Sequence, residues 1–418
     1  MIERPLTLGS GLVLRNRLAK AALTEGLADA DGTPTEALSR YARTLARGGA
    51  SLNITGNVMM DGRYLERAGN VVLESEAQLP AFAAWAAAMR SEGAAALMQI
   101  SHPGRQVNRF HSSRPVAPST GAAVRVLGFF APPRALEVAE IRQIIVRFTT
   151  AAQLAERAGF SGVEVHAAHG YLLSQFLSPL TNRRNDEWGG SLINRARALR
   201  EIVTSIRAAT ARGFTLAVKL NSADFQRGGF DETDALQVVR WLADDGVDLI
   251  EISGGNYEAP ALLGASVRAS TVAREAYFLD FARKVRAVSS VPLMVTGGFR
   301  SRAAMDAALA EGALELIGLG RPLLLEPDLP ARLLSGEAAR AVAEPKRVVT
   351  GALFALAETS YYDVQISRLS RGLAPAPGVS PYTGIRMFFA RELWRFVGRL
   401  FGGLSRRALP CARATPSA

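Results

Sequence analysis

"EVAEIRQIIVRFTTAAQLAERAGFSGVEVHAAHG", residues 137–170, changes period partway along. In its first part Ile141, Ile144, Ile145, Phe148, Ala151, Ala152 and Ala155 recur at helical spacing and make one apolar face. "GVEVH" (162–166) then reads as a short buried strand, ending on His166 with His169 and Tyr171 just beyond. A helix feeding a strand through a glycine turn is one repeat of an α/β architecture.

The repeat extends in both directions. Apolar runs of strand length stand at 17–23, 50–56, 94–100, 162–166, 215–221, 247–253, 292–298 and 313–320, with helical patterns between them. Eight such runs predict a (β/α)8 TIM barrel with a C-terminal extension, because eight parallel strands close on themselves. An open doubly wound sheet is the rival arrangement, but no G-x-G-x-x-G follows an early strand. The barrel is expected over residues 1–340 and the extension over 341–418.

The 418 residues carry a net charge of +11, but residues 364–418 hold nine arginines against a single acid, Glu392. The body therefore lacks the concentrated basic face of a nucleic-acid-binding domain. The one cysteine, Cys411, excludes an internal disulfide and a thiolate-bound cluster. "MIERPLTLGSG" has no apolar leader core and no run is long enough to span a bilayer, so a cytoplasmic setting is expected.

Barrel enzymes work at the C-terminal ends of their strands. Those ends carry Thr24, Asn57, Gln99 with His102, His166 with His169, Lys219 with Asn221, and Ser253. The last two offer Gly297 with Gly298, then Gly320 with Arg321. Glycines admit an anion to the backbone and an arginine pairs with it, so these two loops suggest a phosphate-bearing ligand; tight turns beside a surface arginine are the plainer reading. For the histidines, a metal site with His102, an acid/base pair and a substrate-oxygen clamp all stay open. Tyr171 could equally pack with a satisfied hydroxyl. Phe129 and Phe130 could form a lid or plug a core edge.

With these residues in view, the chain resembles the Old Yellow Enzyme family, in its short single-barrel form without an iron–sulfur cluster. The resemblance runs from about Leu6 to Leu334 and is carried by "EVHAAHGYLLSQFLSPLTNRRNDEWGGSLINRARAL", "MQISHPGRQ", "TGGFR" and "IGLGRPLL". It implies FMN at the barrel mouth, reduced by NADH or NADPH. It implies a ping-pong reduction of the activated C=C bond of a small enone or enal. By resemblance, Ala22, Thr24, Gly56, Gln99, Lys219, Gly297, Gly298, Gly320 and Arg321 would bind the cofactor. Thr24 would sit near the flavin carbonyl, Gly56 would leave room under the ring, and Gln99 would meet the pyrimidine edge. Lys219 stands where many relatives have arginine, and would face the N1/O2 side. His166 and His169 would donate to the substrate carbonyl, and Tyr171 would protonate the α-carbon. "KAALTEG" (20–26), with Glu25, departs from the family's usual run after the first strand. The rival functions are a non-redox phosphate-binding barrel, such as a lyase or a zinc hydrolase, and a flavin binder without turnover whose tail blocks the mouth.

The extension carries a basic amphipathic helix, "RMFFARELWRFVGRLFGGLSRR" (386–407). Phe389, Leu393, Phe396, Val397, Leu400, Phe401 and Leu404 share one side of it, with Arg391, Arg395 and Arg399 opposite. The expectation is that the apolar side docks on protein, its own barrel or a second subunit reached by the connector 372–384. An anionic membrane surface is the less favoured partner.

Overall fold

A computed structural model describes residues 1–125, 128–256, 258, 275, 278–342 and 354–407. Eight parallel strands form the barrel: β1 Leu18–Lys20, β2 Leu52–Ile54, β3 Ala95–Ser101, β4 Gly162–Ala167, β5 Thr215–Asn221, β6 Leu249–Ser253, β7 Leu293–Thr296 and β8 Leu316–Leu319. Each pairs with the next, β8 pairs with β1, and the β3–β4 pairing completes the ring. The expected closed barrel is what forms, and the open-sheet rival is set aside.

The main helices around it are α1 Glu36–Ala46, α2 Leu79–Met89, α3 Val138–Arg157, α4 Leu192–Ala209, α5 Glu232–Asp244, α6 Leu279–Arg286 and α7 Arg302–Ala310. The seven apolar residues of the opening stretch are all buried on α3. Its start is closed by a reciprocal capping box between Glu137 and Glu140. At the start of α4, Ser191 occupies the capping position but its side chain makes no capping bond.

A two-stranded hairpin, Leu6–Thr7 with Val13–Leu14, precedes the barrel. Its Leu6 and Leu14, with nearby Leu8, pack with the interior residues Ala19, Leu52, Leu97, Ala217, Leu249, Met294 and Leu316. That apolar plug fills the N-terminal end and leaves the chemistry to the other.

Parallel register sets the polar side chains in the barrel wall beside one another. Gln99 of β3 is level with Glu164 of β4. His166 of β4 is level with Lys219 of β5, and Lys219 with Glu251 of β6. Residues level across paired strands face the same way, so each set forms a layer.

The extension is a helical hairpin, α8 Phe354–Leu369 and α9 Pro381–Arg407, packed on the barrel mouth. Its connector does not reach out as the sequence suggested. Gln365 exchanges two hydrogen bonds with Ala376, at 3.0 and 2.8 Å, and the Tyr361 hydroxyl donates to Pro377 O at 3.1 Å. These bonds satisfy the backbone locally and fold the segment onto α8. Gly384 lies so close to α8 that a Cβ would meet Ser360 O at 2.2 Å.

The docking side of α9 also differs from expectation. Gly384 and Glu392 are buried and Ile385, Phe388 and Arg391 half-buried, while Phe389, Leu393, Trp394 and Val397 remain exposed. The physical reason is polar. The Glu392 carboxylate accepts from Ala68 N–H at 2.8 Å and lies 2.9 Å from His111 Nε2. The side chains of Phe396, Leu400, Phe401 and Leu404, and all of Cys411, lie outside the described residues.

Candidate active site

A cavity of about 380 Å³ opens at the C-terminal end of the strands. Ala22, Thr24, Gln99, His166, His169, Tyr171, Lys219, Gly297, Gly298, Gly320 and Arg321 all line it. Gly56 does not lie on this wall. A Cβ there would meet Glu25 Oε2 at 2.1 Å and Leu23 O at 2.4 Å, so it permits a close approach of the 23–25 segment instead.

The two histidines are placed differently. His166 Nδ1 accepts the Ala168 N–H at 3.2 Å, which leaves a neutral ring's proton on Nε2. His169 takes a left-handed backbone, φ 59°, its N–H donating to Asn221 Oδ1 at 3.1 Å. Its Nε2 lies 2.7 Å from Ser253 Oγ, so that nitrogen already has a partner. Burial above all, with the Lys219 charge nearby, lowers both imidazoles well below the usual histidine value and keeps them neutral. The Tyr171 ring meets His166 edge-on, centroids 4.8 Å apart, on the same wall.

His102 turns away. Its Nδ1 accepts the Gly104 N–H at 3.0 Å and its ring packs 4.9 Å from Tyr64. It is not on the cavity wall, so the three imidazoles of a zinc reading do not converge. Among the described residues, no group of three or more His, Cys, Asp or Glu is placed to hold a metal.

At the cavity wall lies a buried charged layer in which sequence reasoning named Gln99 and Lys219 but passed over Glu164 and Glu251. Lys219 Nζ is 2.7 Å from Glu251 Oε1, and Gln99 Nε2 donates to Glu164 Oε1 at 2.6 Å. Burial, reinforced by the Glu251 charge, pushes the Glu164 carboxyl well above the carboxylate range. Burial also works to raise Glu251, but the Lys219 charge and hydrogen bonds from Glu164 and Lys219 outweigh it and bring it below its usual value. The two carboxyls are shifted in opposite directions, with Lys219 favouring the charged form of Glu251. A second buried pair explains "KAALTEG". Lys20 Nζ donates to Ile54 O at 2.6 Å and lies 3.7 Å from Glu25 Oε1, and the Glu25 carboxylate accepts the Gly56 N–H at 3.0 Å. The available signal was a charged residue in the middle of an apolar strand: Lys20, Glu164, Lys219 and Glu251.

The extension supplies the far wall. Glu358, Tyr362 and Asp363 of α8 and Phe388 of α9 line the cavity, joined by Phe129 and Phe130. Arg321 Nη1 donates to Glu358 Oε1 at 2.5 Å and its guanidinium lies 6.0 Å from the Tyr362 ring centroid. Arg67 Nη1 reaches Asp363 at 3.2 Å. The Phe129 ring lies 5.8 Å from that of Phe389, so this segment braces α9. The hairpin covers part of the mouth without filling the cavity.

A closed parallel barrel with this mouth defines an α/β-barrel oxidoreductase of the Old Yellow Enzyme type, and the comparisons agree. The NADH:flavin oxidoreductase / NADH oxidase family profile matches residues 2–339. The NADH-dependent flavin oxidoreductase iliE of Hypocrea jecorina (strain QM6a) is 38% identical over 356 residues, covering 79% of this chain and 88% of that protein. The NADH oxidase of Thermoanaerobacter brockii is 34% identical over 331 residues, covering 78% of this chain and 49% of that longer protein. The Old Yellow Enzyme homologue from Zymomonas mobilis superposes with a TM-score of 0.69 at 27% identity, covering 83% of this chain and 95% of the other. Morphinone reductase in complex with tetrahydroNAD gives 0.67 at 27% identity, covering 82% and 93%. The chain belongs to the NADH:flavin oxidoreductase / NADH oxidase family. It is a flavin oxidoreductase with FMN as cofactor and a nicotinamide nucleotide as electron donor.

The residues present fit that cofactor. Gln99 Oε1 is buried on the cavity wall with no hydrogen-bond partner among the described residues, an acceptor suited to a ring N–H. Gly297 and Gly298, at φ 125° and 94°, bare their backbone in a conformation side chains rarely adopt. Arg321 spends Nη1 on Glu358, but a guanidinium carries further N–H donors for a phosphate.

Proposed function

We propose that this enzyme reduces the activated C=C bond of α,β-unsaturated carbonyl compounds, taking electrons from NADH or NADPH in a ping-pong cycle. The observation that carries the reading is the cavity wall where a neutral His166, its proton on Nε2, meets the Tyr171 ring edge-on. Gln99, Lys219 and the Gly297–Gly298 and Gly320–Arg321 loops would hold FMN, which would supply the hydride.

His166 Nε2–H donates to the substrate carbonyl and stabilises the enolate-like charge as the β-carbon is reduced. His169 becomes the second donor when its Nε2 exchanges Ser253 Oγ for the carbonyl oxygen. Tyr171 then delivers a proton to the α-carbon, the general-acid step suited to a positioned phenol. The aromatic wall from Phe129, Phe130, Tyr362 and Phe388 excludes water and favours an apolar substrate body.

The test is anaerobic. Enzyme reduced by NADH or NADPH is mixed with cyclic enones, enals and nitroalkenes, with a quinone and a disulfide as comparators. Reoxidation by the first group with formation of the saturated product supports the reading; reoxidation by the comparators alone overturns it. Tyr171→Phe should slow this half-reaction and spare flavin reduction. Equal slowing of both halves would count against a proton-donor role.

A further inference from the structure

We propose that the outer face of α9 docks on an anionic membrane surface. The helix is already seated on its own barrel, through a face that mixes small, apolar and polar residues. Gly384 packs on Ser360, Phe388 reaches the cavity, and Glu392 is 1% exposed against Ala68 and His111. Among the described residues the opposite side is mostly uncovered, with Phe129 touching it only at Phe389. Tyr382 is 54% exposed, Leu393 58% and Trp394 78%, with Phe389 and Val397 about 40% and the Arg386 side chain exposed among them.

Charge says what would cover this face. Glu392 is the only acidic residue in residues 364–418 against nine arginines, and it is turned inward, while Arg386 stands exposed on this face. An apolar strip carrying Trp and Tyr in basic surroundings matches the headgroup layer of an anionic bilayer, where aromatic rings and arginine stems sit well. A second copy is a poorer fit. A two-fold contact through this face would bring two basic helices together with no acid of the tail between them. Among the described residues no helix is long and apolar enough to cross a membrane, so the contact is interfacial. Because Phe388 on the inner side of the same helix lines the cavity, such docking would set the mouth near the bilayer, where apolar substrates concentrate.

The experiment uses the full-length, FMN-loaded protein with vesicles of phosphatidylcholine alone or mixed with phosphatidylglycerol. Flotation should show binding to the anionic vesicles that weakens as salt rises. Trp394→Ser with Leu393→Ser should lower that partitioning, and Arg386→Glu should lower it on the order of 10-fold. None of these three lines the cavity, so turnover of a water-soluble enone should be unchanged, which also reports that the variants are folded. Equal binding to both vesicle types, or none to the anionic ones at low salt, overturns the proposal. So does a stable dimer by sedimentation that Trp394→Ser dissociates, since the face would then belong to a second copy.

Discussion

Lys219 Nζ stands 2.7 Å from Glu251 Oε1 inside the barrel, level across β5 and β6, with both side chains almost wholly buried. The cation on the cavity wall is thus half of a neutralised pair. A lysine lacks the planar fork of an arginine, and Glu251 orients its ammonium instead. It also tempers the positive field felt by a flavin.

Glu251→Gln should therefore raise the two-electron potential of bound FMN by tens of millivolts, where about 30 mV is a tenfold change in the equilibrium. Spectroelectrochemistry measures it directly. Losing one partner of a buried pair also costs about 3–5 kcal/mol of stability, so urea unfolding should accompany the titration. An unchanged potential would make the pair purely architectural.

The histidines should not contribute equally. His166 has its Nε2 proton available, whereas the Nε2 of His169 must first release Ser253. His166→Ala should cut enone turnover about 100-fold or more with FMN retained, the size expected for a lost oxyanion donor. His169→Ala should cut it less. A phenol that mimics the enolate should lose affinity in the same order, measurable by its long-wavelength absorption with oxidised enzyme. The reverse order would move the principal donor to His169.

Arg321→Ala should weaken FMN retention, because a phosphate beside β8 would lose its charge-assisted partner. It should also loosen the hairpin, since Glu358 would lose its ion pair at 2.5 Å. Fluorescence of released flavin reports the first effect, and limited proteolysis of the full-length protein reports the second. Glu358→Gln should reproduce only the second. Full FMN retention in Arg321→Ala would place the phosphate elsewhere.

The two histidines carry a pH signature. Their folded values lie well below the ordinary 6.5, so below that pH the unfolded chain binds protons the folded one refuses. Their contribution is present above about pH 6.5 and drains as the pH falls. Glu164 and Glu25, held above 4.5 chiefly by burial, act with the opposite sign over the acid range. The histidine part is isolated by difference: melting temperature of wild type minus that of the double alanine variant should shrink from pH 7.5 to 5. A constant gap would mean that the imidazoles titrate normally.

The sequence by itself determined the barrel and the identity of its working end. Strand periodicity and spacing are local properties, so eight apolar runs and the polar residues after them could be read before any contact was known. The family resemblance named the side chains that do line the cavity, Gly56 excepted. What only the tertiary structure decided is which group faces which. Glu164, Lys219 and Glu251 each look anomalous in an apolar strand, but their pairing depends on register between strands roughly 30 to 55 residues apart. The Lys20–Glu25 pair likewise depends on Glu25 turning back over Gly56. The orientation of α9 escaped sequence reasoning for a related reason. Periodicity shows that a helix has an apolar side, but the surface it meets chooses the buried side. Here that surface offered Ala68 N–H and His111, and one buried carboxylate with partners outweighed an exposed apolar strip.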